Sequence, residues 1–484
     1  MSSAIDGLQP TLVWKYFAEI ARIPRGSRHE EKITQYVLDT AKRLGLKPKA
    51  DKLGNVVVTK PASMGREKVS SICLQGHLDM VCEKNKDKIH DFLKDPIELV
   101  RKGNLMMANG TTLGADNGIA VATNLAIMAD KTLVHGPLEF LFTVDEETGL
   151  TGAKGLAGDF VASRTLMNLD SEEEGALYVG CSGGRDTTGT WPVTFTAAPQ
   201  GFVAACITVA GLQGGHSGLE IQTGRGNAIK ILNRALLALD ALGARLSTIE
   251  GGNKRNAIPR EAEVIVFLPP KAWQAAEKAV TDLNAMAKAE VATEDPDLKV
   301  LIAPHKGKRG KVIGKRVQEK LLRTISALPH GVVKMSADIP GLVETSTNVA
   351  VLTTGRTGIS LTTSQRSSVD SEIREICHTV VSIFTLGGAK VTQSDGYPGW
   401  KPNLNSPILN VAKQTYLKMY GKEPHVKAIH AGLECGIIGE RVPGMDMVSF
   451  GPTLESVHSP DEKIHIDTVK RYWDFLLGIL QNAN

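Results

Sequence analysis

The sequence predicts an α/β protein whose layered domain is split by a long α+β insert. Short β-rich runs alternate with helical patterns through its first third, and residues able to bind metal fall just after those runs. The stretch 187–396 carries strands and helices of its own but none of the candidate ligands.

Apolar positions recur at helical spacing over 11–22 and 29–44, separated by Ile23-Pro-Arg-Gly26. Strands are predicted over 55–59, 70–75, 138–144 and 165–169, and a helix over 117–128. In the insert, strands at 202–210, 261–268 and 299–302 alternate with helices at 227–242 and 271–290. A second set follows: a helix over 315–327, strands over 347–353 and 357–363, a helix over 368–384 and a strand over 389–392. The expectation is two tandem sandwich-like units within 187–396, set into a domain formed by 1–186 and 397–484.

At 484 residues the chain exceeds what one hydrophobic core usually serves. With 42% hydrophobic and 22% charged residues and a mean hydropathy of -0.08, it has the composition of an ordinary globular protein. A net charge of +4 is small for this length, and the one basic run, 305–311, reads as a solvated loop because no aromatic residues interleave with it to stack bases. Neither nucleic acid nor membrane is an expected partner, since no stretch of 18 apolar residues occurs. The N-terminus lacks a basic segment followed by an apolar run, and the six cysteines form no C-x-x-C pair, so a cytoplasmic protein with reduced thiols is expected.

Hydrolysis at a metal needs imidazole and carboxylate ligands, an open position and a nearby base. In Gly76-His77-Leu78-Asp79 the histidine can bind metal while Asp79 accepts its other ring N–H, although a lone H-x-D arises often by chance. Asp116, in Gly114-Ala-Asp-Asn-Gly118, is either an N-cap of the following helix or a carboxylate able to bridge two metals. Glu146 and Glu147 form a solvated acidic turn or a ligand with its neighbouring base; the apolar strand before them and room left by Gly149 and Gly152 favour the latter. Asp170 ends its strand as Glu146 ends its own, and His458 sits in a turn-rich loop, not on an apolar helix face. Gly214-Gly-His216-Ser-Gly218 and His430-Ala-Gly-Leu-Glu-Cys-Gly436 add polar groups flanked by glycine.

Taken in order, Gly76-His-Leu-Asp79, Gly114-Ala-Asp-Asn-Gly118, Asp145-Glu-Glu147, Gly215-His-Ser-Gly218 and His458 resemble the co-catalytic di-zinc peptidases of the aminoacylase and carnosinase group. Thr148-Gly-Leu-Thr-Gly-Ala153, Asn168-Leu-Asp-Ser-Glu172 and the 430–436 segment narrow the resemblance to bacterial aminoacyl-histidine (Xaa-His) dipeptidases. It implies a zinc-peptidase-like catalytic domain, with a central sheet flanked by helices, and a lid formed by the insert. It also implies two Zn²⁺ per chain, with Co²⁺ or Mn²⁺ able to substitute: one held by His77 and Asp170, the other by Glu147 and His458, with Asp116 between them. Glu146 matches the general base, Asp79 the residue that orients His77, and His216 the lid histidine that stabilises the oxyanion.

Asn256, Arg366 and Gly432 are the candidates for holding the substrate, Arg366 because its guanidinium suits bidentate carboxylate recognition. The implied substrates are small unblocked dipeptides, Xaa-His such as β-Ala-His preferred. The doubled lid leaves a homodimer open, because its second half can stand in for a partner's. Two rival readings are an amidohydrolase acting on N-acyl amino acids and a metal-binding protein of the same fold without chemistry.

Overall fold

A computed structural model describes residues 4–306 and 310–483; the middle of the basic run, 307–309, lies outside them. The chain divides into two compact units, one of Met1–Gly180, Pro402–Ala428 and Leu433–Asn484, the other of Cys181–Lys401 and Ile429–Gly432.

The first unit is built on a mixed eight-stranded sheet. Its order is Lys47–Ala50, Val56–Lys60, Leu138–Thr143, Ile72–His77, Thr165–Asn168, Asp446–Ser449, Ala176–Cys181 and His425–Ile429. The central strands run parallel, and Ile72–His77 and Leu138–Thr143 are buried at every position, which is why both read as apolar runs rather than as alternating ones. His77 pairs with Thr143 and Gln75 with Asn168, so the carboxyl ends of three strands finish almost level. Ligands of open α/β sheets collect at that edge.

The helix Ala115–Ala129 lies against the Ile72–His77 strand and is buried along most of its length. Gly76 of the strand leaves room for its Asn117 and Ala120, Gly118 faces Arg25 and Ile20, and Trp14, Phe17 and Ile20 of the Thr11–Ile20 helix bury their side chains in the same unit. Among the described residues no helix is long and apolar enough to cross a membrane.

The second unit holds a nine-stranded antiparallel sheet. Its order is Lys299–Pro304, Val203–Ala210, Ala262–Leu268, Arg245–Gly251, Val343–Thr354, Gly358–Ser367, Gly183–Pro192 and Lys390–Gln393, with Gly331–Met335 paired on Val343–Thr354. The two expected sandwich-like units are the halves of this one sheet, fused through the pair Gly251–Leu352. The strand that joins them, Arg245–Gly251, mixes polar and apolar residues and carries too weak an alternation to be read from sequence. One core of Leu232, Leu236, Val264, Leu321, Leu352, Leu361 and Phe384 runs through both halves.

Residue 187 falls inside the strand Gly183–Pro192, whose threonines and glycines gave no apolar signal. Tyr397, just past 396, pairs with Gly184, and Gly432 belongs to the second unit although it lies far along the chain.

Candidate metal centre

His77 ends its strand and is 1% exposed, so its imidazole must find partners inside the protein. Gly76 makes this position possible: a Cβ there would lie 2.4 Å from Asn117 Oδ1 and 2.7 Å from Ala120 Cβ. Asn117 in turn accepts the His77 N–H at 3.2 Å and donates to the Leu169 carbonyl at 3.0 Å, tying two strand ends together.

His77 Nε2 faces two carboxylates, Asp116 Oδ1 at 3.1 Å and Asp170 Oδ1 at 3.4 Å. His458 Nε2 also faces two, Asp116 Oδ2 at 3.1 Å and Glu147 Oε2 at 3.0 Å. Asp116 therefore offers one oxygen to each imidazole. One ring nitrogen has a single lone pair or a single hydrogen, so two carboxylates on one nitrogen are what a shared cation satisfies and one proton does not. Glu147 Oε1 and Asp170 Oδ1 are buried without a hydrogen-bond partner among the described residues. The ligand atoms of His77, Asp116 and Asp170 lie within 4.8 Å of one another, as do those of Asp116, Glu147 and His458. This nitrogen and oxygen set fits a pair of divalent cations.

Asp79 lies beneath. Its Oδ1 is 3.3 Å from His77 Nδ1, and its carboxylate accepts Ser27 Oγ at 2.8 Å and the Glu146 and Glu147 amides at 3.0 and 3.2 Å. Burial works to raise its carboxyl, but His77, Ser27 and those amides outweigh it and hold the group at about 2. The same residue thus stands beside the imidazole and accepts two amides of the turn that carries both glutamates. Burial pushes the Glu146 carboxyl well above the usual range; His77 opposes that, and the charges of Asp170, Glu147 and Glu434 add to it. Glu146 shares a third cluster with His77 and Glu147.

The turn itself is held by Asp145, left-handed at φ 51°, whose two oxygens accept the Thr148 and Thr151 hydroxyls. The space at Gly152 is filled by the chain itself: a Cβ would lie 2.5 Å from the Val144 carbonyl oxygen. A fourth acidic group, Glu30, Asp79 and Asp145, is engaged by amides and hydroxyls and needs no cation.

Asp116 is not the N-cap of its helix. The cap position is Gly114, left-handed at φ 68°, and Asp116 and Asn117 depart from helical geometry. The amides there are taken by Glu462, a residue that sequence reasoning missed, as it missed Arg25. Also missed is a buried polar chain below the strand ends: Glu434 accepts from Gln75 and Thr143 at 2.6 Å, Asn168 donates to Gln75 at 2.6 Å, and Ser449 donates to Asn168 at 2.5 Å. Glu434 belongs to the 430–436 motif, but its burial makes it a support of the sheet edge.

In the second unit His216 Nδ1 accepts the Gly218 and Leu219 amides at 3.2 and 3.1 Å, so its Nε2 carries the hydrogen. Burial, then the charge of Arg366, lowers its pKa to about 4 and keeps the ring neutral. The Gly215–His216 strand pairs with Ala257–Ile258, which brings Asn256 alongside; both His216 and Asn256 line a cavity of about 720 Å³. Arg366 Nη1 donates to the Tyr397 hydroxyl at 3.0 Å, and its buried Nε has no acceptor among the described residues. The Tyr397 ring fills the space beside Gly432, where a Cβ would lie 2.9 Å from it.

Residues 73–482 match the family described as peptidase family M20/M25/M40. The cytosol non-specific dipeptidase of Escherichia coli (strain K12) is 41% identical over 480 residues, 99% of each chain. The crystal structure of aminoacylhistidine dipeptidase from Vibrio alginolyticus superposes with a TM-score of 0.91 at 41% identity, covering 100% of this chain and 98% of that one. The aminopeptidase PepT from Bacillus cereus, 17% identical with a TM-score of 0.57 over 98% of this chain and 99% of its own, shares the fold.

Proposed function

The chain belongs to peptidase family M20/M25/M40, and from that premise we propose that it hydrolyses the peptide bond of unblocked dipeptides, Xaa-His preferred, at a pair of zinc ions. The observation that carries the reading is Asp116 presenting one oxygen to His77 and the other to His458. His77 and Asp170 would hold one ion and Glu147 and His458 the other, with Asp116 common to both. When bound, such a pair supplies Lewis-acid polarisation of the scissile carbonyl and makes water a nucleophile at neutral pH.

The chain's own residues do the rest. Glu146, beside His77 and Glu147 yet left out of both ligand triads, takes a proton from the attacking water and returns it to the leaving amine. Asp79 fixes the His77 ring. His216, with its hydrogen on Nε2, is assigned to the developing oxyanion, and Asn256, Arg366 and the Gly432 backbone to the dipeptide's termini. The buried Arg366 Nε without an acceptor supports a carboxylate ligand there. The names of the two 41% identical relatives support dipeptides as the substrate class, and that of the Escherichia coli relative supports the cytosol as the compartment.

The test is the purified protein stripped with a chelator and reloaded with Zn²⁺, Co²⁺ or Mn²⁺. Activity on Gly-His and β-Ala-His should vanish on stripping and return on reloading. Faster turnover of N-acetyl amino acids than of either dipeptide would overturn the assignment.

A further inference from the structure

Glu462 follows His458 by four residues and is 2% exposed. Its Oε2 accepts the amides of Leu113 at 2.7 Å and Gly114 at 2.9 Å, and its Oε1 those of Ala115 at 2.8 Å and Asp116 at 3.2 Å. Four consecutive amides thus converge on one carboxylate from 346 to 349 residues away in the chain. They stand at the start of a helix, where N–H groups have no intrahelical partner, and Gly114 at the cap position has no side chain to meet them.

Arg25, 3% exposed, grips the same segment through its carbonyls. It donates to Leu78 O at 2.9 Å, to Asp79 O at 2.8 Å and to Gly114 O. The Gly114 residue is therefore held through its N–H by an anion and through its C=O by a cation. Glu462 is the largest of the charges that favour the buried guanidinium, and its own burial is opposed by the amides it accepts. Gly114 can have no Cβ here, since one would lie 2.5 Å from Arg25 Nη2.

The clamp joins three segments that each supply a member of the candidate centre: Leu78–Asp79 after His77, 113–116 with Asp116, and 458–462 with His458. We propose that Glu462 is a positioning residue of the metal centre, fixing the 113–116 segment against the His458 loop so that Asp116 meets both imidazoles. This rests on the reading of Asp116 and His458 as ligands. No metal or substrate contact is assigned to Glu462 itself.

The experiment compares wild type, Glu462→Gln, Glu462→Asp and His458→Ala as apoproteins whose fold is checked by circular dichroism. Each is titrated with Zn²⁺ against a chromophoric chelator, and kcat and KM for Gly-His are then measured at saturating Zn²⁺. Gln replaces one acceptor oxygen by an NH₂ group, so two amides lose their partner while the shape is kept. Folded Glu462→Gln is expected to bind at least one equivalent about 10- to 100-fold more weakly, with kcat lowered and KM nearly unchanged. Glu462→Asp should move the same way.

Wild-type Zn²⁺ affinity in whichever variant folds overturns the proposal, and failure of both to fold makes Glu462 a folding residue and overturns it too. His458→Ala separates the premises. If it keeps both equivalents at wild-type affinity, the ligand assignment falls; if it loses metal while Glu462→Gln does not, the positioning role alone falls.

Discussion

Asp116 and His458, 342 residues apart in the chain, meet at 3.1 Å between Oδ2 and Nε2. Because Asp116 Oδ1 lies at the same distance from His77, neither imidazole can be moved without changing what the other faces. Asp116→Asn replaces one oxygen by an NH₂ donor that repels a cation. Elemental analysis should show loss of more than one equivalent of metal, whereas Asp170→Asn, at the end of one triad, should lose about one.

Glu146 is expected to matter for turnover and not for metal content. Glu146→Ala should keep both equivalents while kcat on Gly-His falls by about 10²- to 10⁴-fold, the usual contribution of a positioned general base. Wild-type turnover in that variant would remove Glu146 from the mechanism.

Substrate capture should separate from metal binding at Arg366. Arg366→Lys loses the planar fork and should raise KM for dipeptides about tenfold or more, with metal stoichiometry unchanged. Tyr397→Phe removes the hydroxyl that accepts from Arg366 Nη1 at 3.0 Å and leaves a buried donor unpaired. It should raise KM in the same direction and lower unfolding stability by about 1–3 kcal/mol. Unchanged KM in both would sever this pair from substrate binding.

Gly76 tests how closely the helix must approach the sheet. Gly76→Ala places a Cβ against Asn117 and Ala120, an overpacking that costs about 1–3 kcal/mol. Because Asn117 holds the His77 amide, metal affinity should fall together with the thermal midpoint. A normal midpoint with normal zinc binding would show that the helix gives way freely.

The central strands were legible because they are buried on both faces and so write continuous apolar runs, as in Leu138–Thr143. Residues just after those runs were legible as a candidate site for the same reason: His77, Glu146 and Asp170 are polar where apolar sequence stops. Strand Arg245–Gly251 was not, because its pairing partners rather than its own pattern make it a strand. Glu462 was invisible for a different reason. It acts on backbone amides, which have no side-chain signature, and its partners are reached only through the fold. Of the two alternatives open for Asp116, the cap fails because the capping rule is local, whereas the group that satisfies those amides comes from the far end of the chain.

The interval from His458 to Glu462 works as a ruler. One end is fixed by the amides of 113–116 and the other must reach Asp116 Oδ2, which belongs to the same short segment. A residue added between them would lengthen the path by up to about 3.3–3.6 Å, as long as the 3.1 Å contact it has to preserve. These four steps leave no slack for an inserted residue.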